Sequence, residues 1–130
     1  VPLIVRYPGM PNKGDRTKGI VELLDIFPTL AELSGLPVPE GLDGNSFVPL
    51  MEDPSRKGKE AAYAQGILHR GSGIAVTTDD GTYMEWDNGA YQEFYDLTTD
   101  PMAWFNKIDN PDYREEIKYH QELLYEYFDR

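Results

Sequence analysis

The chain has 130 residues, 40% hydrophobic and 27% charged, which suits one ordinary globular domain rather than a disordered segment. Twelve Lys and Arg against 23 Asp and Glu leave a net charge of -11, which argues against nucleic acid and against an anionic membrane surface as partners. There are no cysteines, so disulfides, thiolate metal sites and a thiol nucleophile are excluded from this chain, and no apolar run approaches membrane-spanning length.

Val1-Pro2-Leu3-Ile4-Val5 opens with no initiator Met and no basic flank, unlike a signal peptide, and reads as a cut inside a longer protein, the alternative being a mature chain trimmed at that point. Val1 to Arg6 is expected as a strand that stops at Pro8-Gly9, followed by a loop to Asp15. Gly19 to Ser34 carries Val21, Leu24, Phe27, Leu30 and Leu33 at helical spacing. Pro28 interrupts it, because a proline inside a helix loses a backbone hydrogen bond and crowds the preceding turn. Two short helices, with Pro28 in the first turn of the second and Gly35 as the stop, fit best. Leu36 to Lys59 is a connecting stretch rich in Pro, Gly, Asp and Ser, and a boundary is expected there.

Four strands follow: Ala61 to Leu68, Gly73 to Thr78, Thr82 to Trp86 and Tyr91 to Leu97. Asp80-Gly81 and Asn88-Gly89 separate the last three and suit tight hairpins, so the strands should form an antiparallel meander. A final helix begins at Asn110-Pro111, Asn as cap and Pro in the first position. Its apolar face of Tyr113, Ile117, Leu124, Tyr127 and Phe128 should pack on one side of the sheet.

No catalytic constellation emerges. His69 and His120 are the two histidines, and no serine stands in a nucleophile elbow. His120 lies near the apolar face of the last helix and reads as a packing residue. Asp79-Asp80-Gly81 and Asp87-Asn88-Gly89 have turn composition and lack the alternating oxygens and distal Glu of a calcium loop. His69-Arg70, just before Gly71-Ser72-Gly73, has two readings. Arg70 could grip a carboxylate or sulfate by two parallel hydrogen bonds. Alternatively, Arg70 is solvated and His69 covers the sheet edge. Most of Tyr83, Trp86, Tyr91, Phe94, Tyr95 and Trp104 should pack in the core, with Trp86, beside a turn, the aromatic best placed for exposure to a sugar.

Four stretches, in order along the chain, resemble the sulfatases. They are Val1 to Gly9; Gly19-Ile20-Val21-Glu22-Leu23-Leu24-Asp25-Ile26-Phe27-Pro28-Thr29-Leu30; Leu42-Asp43-Gly44-Asn45-Ser46-Phe47; and Glu93-Phe94-Tyr95-Asp96-Leu97-Thr98-Thr99-Asp100-Pro101, with Asn106 beyond. Tyr83-Met84-Glu85-Trp86 is closest to the branch that includes iduronate-2-sulfatase and related bacterial enzymes. The chain departs from the pattern at Phe94, where Leu is usual, and at Met102-Ala103, which replaces an acidic residue.

The resemblance implies an α+β fold in two parts. Residues 1–59 would be the end of the large α/β domain, contributing a strand, helices and a connecting loop. Residues 60–130 would be a C-terminal subdomain, a four-stranded antiparallel sheet with a helix. It implies hydrolysis of sulfate esters, of a sulfated carbohydrate in particular, by a parent enzyme of the alkaline-phosphatase-like superfamily that carries calcium and a formylglycine nucleophile. The family makes that nucleophile from a Cys/Ser-x-Pro-x-Arg motif, and none of Ser34, Ser46, Ser55 or Ser72 has Pro two residues later. No catalytic residue or metal ligand carries over, so this piece alone should be inactive. It would serve structure and substrate-pocket shaping beside its partner, the N-terminal catalytic domain of the same protein, with His69, Arg70 and Trp86 as the substrate-binding candidates. An exported parent, periplasmic, secreted or lysosomal, is the matching expectation. The alternative is an autonomous acidic carbohydrate-binding or protein-interaction domain. An orphan strand at Val1 to Val5 would also let the isolated chain self-associate.

Overall fold

The computed structural model describes residues 2–68 and 71–129. The chain divides into two compact units, Val1–Lys59 and Glu60–Arg130.

In the first unit a 3-10 turn, Leu23–Asp25, runs directly into helix α1, Ile26–Leu33. Pro28 sits in the first turn of α1, where no backbone N–H is needed. The helix ends at Gly35, whose positive φ of 68° suits glycine. Gly35 N donates to Glu32 O and Leu36 N to Ala31 O, both at 3.0 Å, so the last carbonyls are satisfied.

The apolar residues at helical spacing do not all form the buried face. Pro28, Thr29 and Ala31 are buried, whereas Leu23 is 80% exposed and Phe27 and Leu30 are each 57% exposed. Polar Thr29 is inside because its hydroxyl is needed there, as described below.

The stretch 36–59, expected as a connection, contains helix α2, Val48–Glu52. Its five residues are too few to show a helical period in sequence. With the preceding Phe47 they nevertheless hold the core of this unit: Phe47, Val48, Leu50 and Met51 are buried, with Val5, Tyr7, Met10, Val21, Ile26 and Leu33 packed on them. Asn12 Nδ2 donates to Met51 O at 2.9 Å and Glu52 O at 2.7 Å, covering carbonyls that the helix end leaves open.

Residues 2–6, expected as a strand, form none. A strand is held by ladder bonds to a neighbour, and the only ladder among the described residues of this unit is a single bridge, Ile20 to Lys59.

The second unit is an antiparallel meander of β1 (Ala62–Leu68), β2 (Gly71–Thr77), β3 (Gly81–Trp86) and β4 (Tyr91–Asp96), in the order β1-β2-β3-β4. Helix α3, Arg114–Tyr127, follows a 3-10 turn at Pro111–Tyr113. Asn110 caps that turn by accepting from Asp112 N at 3.0 Å. The core joins Ala61, Ile74, Val76, Tyr83, Phe94 and Leu124, with Tyr113, Ile117, Leu123, Tyr125 and Phe128 of the helical segment against them. Tyr127 lies outside this cluster, its ring stacked 3.8 Å from Tyr63.

Asp80-Gly81 is not a left-handed hairpin pair, since neither residue has positive φ. Gly81 opens β3, and the turn is built on Thr78, whose Oγ1 accepts from Asp80 N and Gly81 N, both at 3.2 Å. Space favours glycine at 81, because a Cβ would press on Phe94 and His120 at 3.0 to 3.1 Å. The left-handed turn lies at the next hairpin. Asp87, Asn88 and Gly89 have φ of 51°, 57° and 87°, and Gly89 N donates to Trp86 O at 3.1 Å.

Candidate functional site

The residues that carry the sequence signatures are spent on internal hydrogen bonds. Asp25 is buried, and its Oδ1 accepts from Asn45 N at 2.7 Å while Oδ2 accepts from Glu22 N at 2.8 Å. Lys59 Nζ lies 2.7 Å from Asp25 Oδ1 and 2.5 Å from Glu22 Oε2. Burial opposes the charge on Lys59, but hydrogen bonds to Asp25 and Glu22 outweigh it and raise its pKa above the ordinary value. Thr29 Oγ1 donates to Asp25 O at 2.7 Å and accepts from Phe47 N at 3.0 Å. Gly44 packs on the Leu24 carbonyl, where any Cβ would collide. Together these contacts clamp the segment around residues 44–47 to the start of α1.

A second clasp closes the connection from β4 to α3. Asp96 Oδ1 accepts from Thr98 N at 2.9 Å and Thr98 Oγ1 at 2.5 Å; Oδ2 accepts from Thr99 Oγ1 at 2.6 Å and Tyr113 OH at 3.1 Å. These donors, the Thr98 and Thr99 hydroxyls first, hold its carboxyl well below the usual carboxylate range despite burial, and the same carboxylate raises the Tyr113 hydroxyl. Asp100 Oδ2 accepts from Phe105 N at 2.8 Å, and Asn106 Oδ1 accepts from Phe94 N and Ile108 N, both at 3.0 Å.

A third polar group spans β3, β4 and α3. Glu85 is buried, and its Oε1 accepts from Tyr83 OH at 2.6 Å, Gln92 Nε2 at 3.3 Å and Tyr125 OH. Gln121 Nε2 donates to Tyr83 OH at 2.8 Å. Burial and then the Glu85 carboxylate push the Tyr83 hydroxyl up. The sequence did not show this cluster; Glu85 stood out there only as part of the Tyr83-Met84-Glu85-Trp86 resemblance.

Trp86 ends β3 beside this cluster, paired with Gly73 on one side and Tyr91 on the other. It is half-buried: its ring lies over Gly73, where a Cβ would come within 2.5 Å of ring carbons. Tyr91 beside it is exposed. β1 finishes at this same end of the sheet, with Leu68 paired to Gly71. His69 and Arg70 lie outside the described residues.

His120 is buried, with Nδ1 2.7 Å from the Glu116 carbonyl and Nε2 2.9 Å from Thr78 Oγ1. A carbonyl only accepts, so Nδ1 carries the proton and Nε2 accepts from the threonine. With both nitrogens committed, His120 is a packing residue and not a base. Among the described residues no three His, Asp or Glu side chains are grouped to hold a metal ion, and no helix is long and apolar enough to cross a membrane. The described residues thus present no cluster of acids that would hold calcium.

The architecture is α+β, with polar side chains that hold loops in place and the aromatic pair Trp86 and Tyr91 at one end of the sheet. A family model described as N-sulphoglucosamine sulphohydrolase, C-terminal, matches residues 1–129. The chain belongs to this family of sulfatase C-terminal domains. It is 33% identical over 123 residues to a sulfatase of Formosa agariphila, covering 95% of this chain and 23% of that protein. It is 25% identical over 127 residues to an arylsulfatase of Clostridium perfringens, covering 95% and 26%. The solved structure of BT4656 in complex with its substrate D-glucosamine-2-N,6-O-disulfate superposes with a TM-score of 0.85 at 25% identity, covering 95% of this chain and 27% of that one. The chain thus spans about a quarter of the length of the curated relatives it matches.

Proposed function

We propose that this chain is the C-terminal portion of an enzyme that hydrolyses sulfate esters of a sulfated carbohydrate. In this reading residues 1–59 complete the large α/β domain and residues 60–130 form the flanking subdomain. The observation that carries it is the apolar outer stripe of the first unit. Leu23, Phe27 and Leu30 follow one another at helical spacing and all stand exposed, while the opposite side of α1 is already packed. A helix apolar on both sides belongs inside a larger core. The N-terminal catalytic domain of the same protein supplies that core, together with calcium and the formylglycine nucleophile.

The second unit then flanks the substrate. Trp86 offers the ring face that Gly73 does not cover, and His69 and Arg70, which follow β1 in sequence, are the proposed polar contacts. The cited relatives support the substrate class, since the BT4656 structure holds a sulfated glucosamine. Incubating the 130-residue chain with an aryl sulfate and calcium tests the division of labour. No turnover is expected; turnover above the buffer rate would show that the chain holds its own nucleophile and would overturn the reading.

A further inference from the structure

The sheet has two outer strands, β1 and β4. An outer strand leaves a row of N–H and C=O groups without ladder partners, and folded proteins blunt such rows with charge, proline, bulges or covering loops. β4 is blunted twice. It carries Glu93 and Asp96, and the following loop returns onto its backbone: Phe94 N donates to Asn106 Oδ1 at 3.0 Å and Phe94 O accepts from Lys107 N at 2.7 Å.

Among the described residues β1 has neither device. Its residues Ala62–Leu68 include no charge and no proline. They pair with β2 in unbroken register, which leaves no bulge to turn the edge away. Ala64, Gln65, Gly66 and Ile67 are exposed, Ile67 by 86%. Self-association was expected through residues 1–5, but residues 2–6 form no strand, and the open ladder is at β1 instead.

We propose that β1 pairs antiparallel with β1 of a second copy of this chain, about a two-fold axis through Gln65, and so extends the sheet across a dimer. The strand's own sequence selects that occupant. Pairing about Gln65 sets Tyr63 opposite the partner's Ile67, and the reverse, so the bare isoleucine of each copy meets the tyrosine of the other. Aromatic and β-branched residues facing one another stabilise an antiparallel ladder. Ala64 meets the partner's Gly66, so only small residues flank the axis. The two Gln65 amides face each other, and each can donate and accept. An isologous contact of this kind closes on itself, so the dimer is the end product. The opposing term is the net charge of -11 on each copy, which salt screens.

Sedimentation of the 130-residue chain tests this, over roughly 10 µM to 1 mM and at low and high salt. A monomer–dimer equilibrium is expected, shifting to dimer with concentration and with salt, while the amides of 62–68 exchange more slowly as dimer forms. Gln65→Lys and Ile67→Lys should each weaken the dimer by about tenfold or more, because the first sets two lysines face to face across the axis and the second replaces the isoleucine that faces the partner's Tyr63 with a charge. Gln65 is exposed, so an unchanged urea midpoint for Gln65→Lys separates loss of pairing from loss of fold. A chain that stays monomeric throughout overturns the proposal. So does growth beyond the dimer, or a dimer that tolerates both lysines with no slowed exchange at 62–68.

Discussion

Replacing Asp96 by Asn keeps the shape of the side chain and removes only its charge and one acceptor. Four donors converge on this carboxylate: Thr98 N, Thr98 Oγ1, Thr99 Oγ1 and Tyr113 OH. An amide oxygen can still serve the first two. The amide nitrogen then faces the Thr99 and Tyr113 hydroxyls, which must turn to accept. Hydrogen bonds to a charged group are each worth about 1.5–3 kcal/mol, and part of each survives here, so the net loss should be about 2 kcal/mol at pH 7. With an m-value of roughly 1–3 kcal/mol/M, the urea midpoint falls by about 1 M.

Both tryptophans, Trp86 and Trp104, lie in the second unit, so their fluorescence follows that unit alone. The folded Asp96 carboxyl titrates below its unfolded value of about 3.9, so its stabilisation is present above that pH and is lost as pH falls toward the folded pKa. The gap between wild type and Asp96→Asn should therefore narrow by about 1 kcal/mol at most between pH 7 and pH 3. An equal gap at both pH values would mean that packing, not charge, explains the loss. No gap at pH 7 would remove the clasp from the account of this fold.

The clamp in the first unit makes a separate prediction. Asp25→Ala leaves Lys59 short of a buried partner and frees Asn45 N and Glu22 N, at a cost of about 3–5 kcal/mol. Amide exchange across residues 22–47 should then quicken while the second unit keeps its protection; unchanged exchange at 45 and 47 would disprove the clamp. On the proposed reading, Trp86→Ala in an enzyme that carries this segment should raise KM for a sulfated sugar by about tenfold and leave kcat near its original value. An unaltered KM would remove Trp86 from the substrate contacts.

Much of the second unit was legible because its signals are local. Asn110-Pro111 marks a helix start by cap chemistry alone, and alternating runs between turn residues mark β1 to β4. What was illegible depends on distant partners. Asp80-Gly81 has hairpin composition, but the glycine answers to Phe94 and His120, which lie 13 and 39 residues away in the chain. The apolar stripe Leu23, Phe27 and Leu30 was visible, yet which side of α1 faced the core was decided by Thr29, which takes Phe47 N from the far side of a loop. Asp25, Asp96 and Asn106 were recognisable as signature residues without any hint that their role is to hold backbone N–H groups. Glu85 was quoted within a family-like element with no hint of its role, since its partners Tyr125 and Gln92 are assembled only by the fold.

The connectivity of the sheet also bears on how the second unit assembles. Two, three and four residues join its successive strands, so every ladder closes a short loop at little entropic cost. The clasp around Asn106 is nearly as local, reaching back 12 residues to Phe94. Only the helix must return from afar, with His120 meeting Thr78 across 42 residues. Strand pairing should therefore run ahead of helix docking, and the docking of α3 should set the folding rate of the unit. Until it docks, Tyr83 and Phe94 would lie bare on one face of a finished sheet.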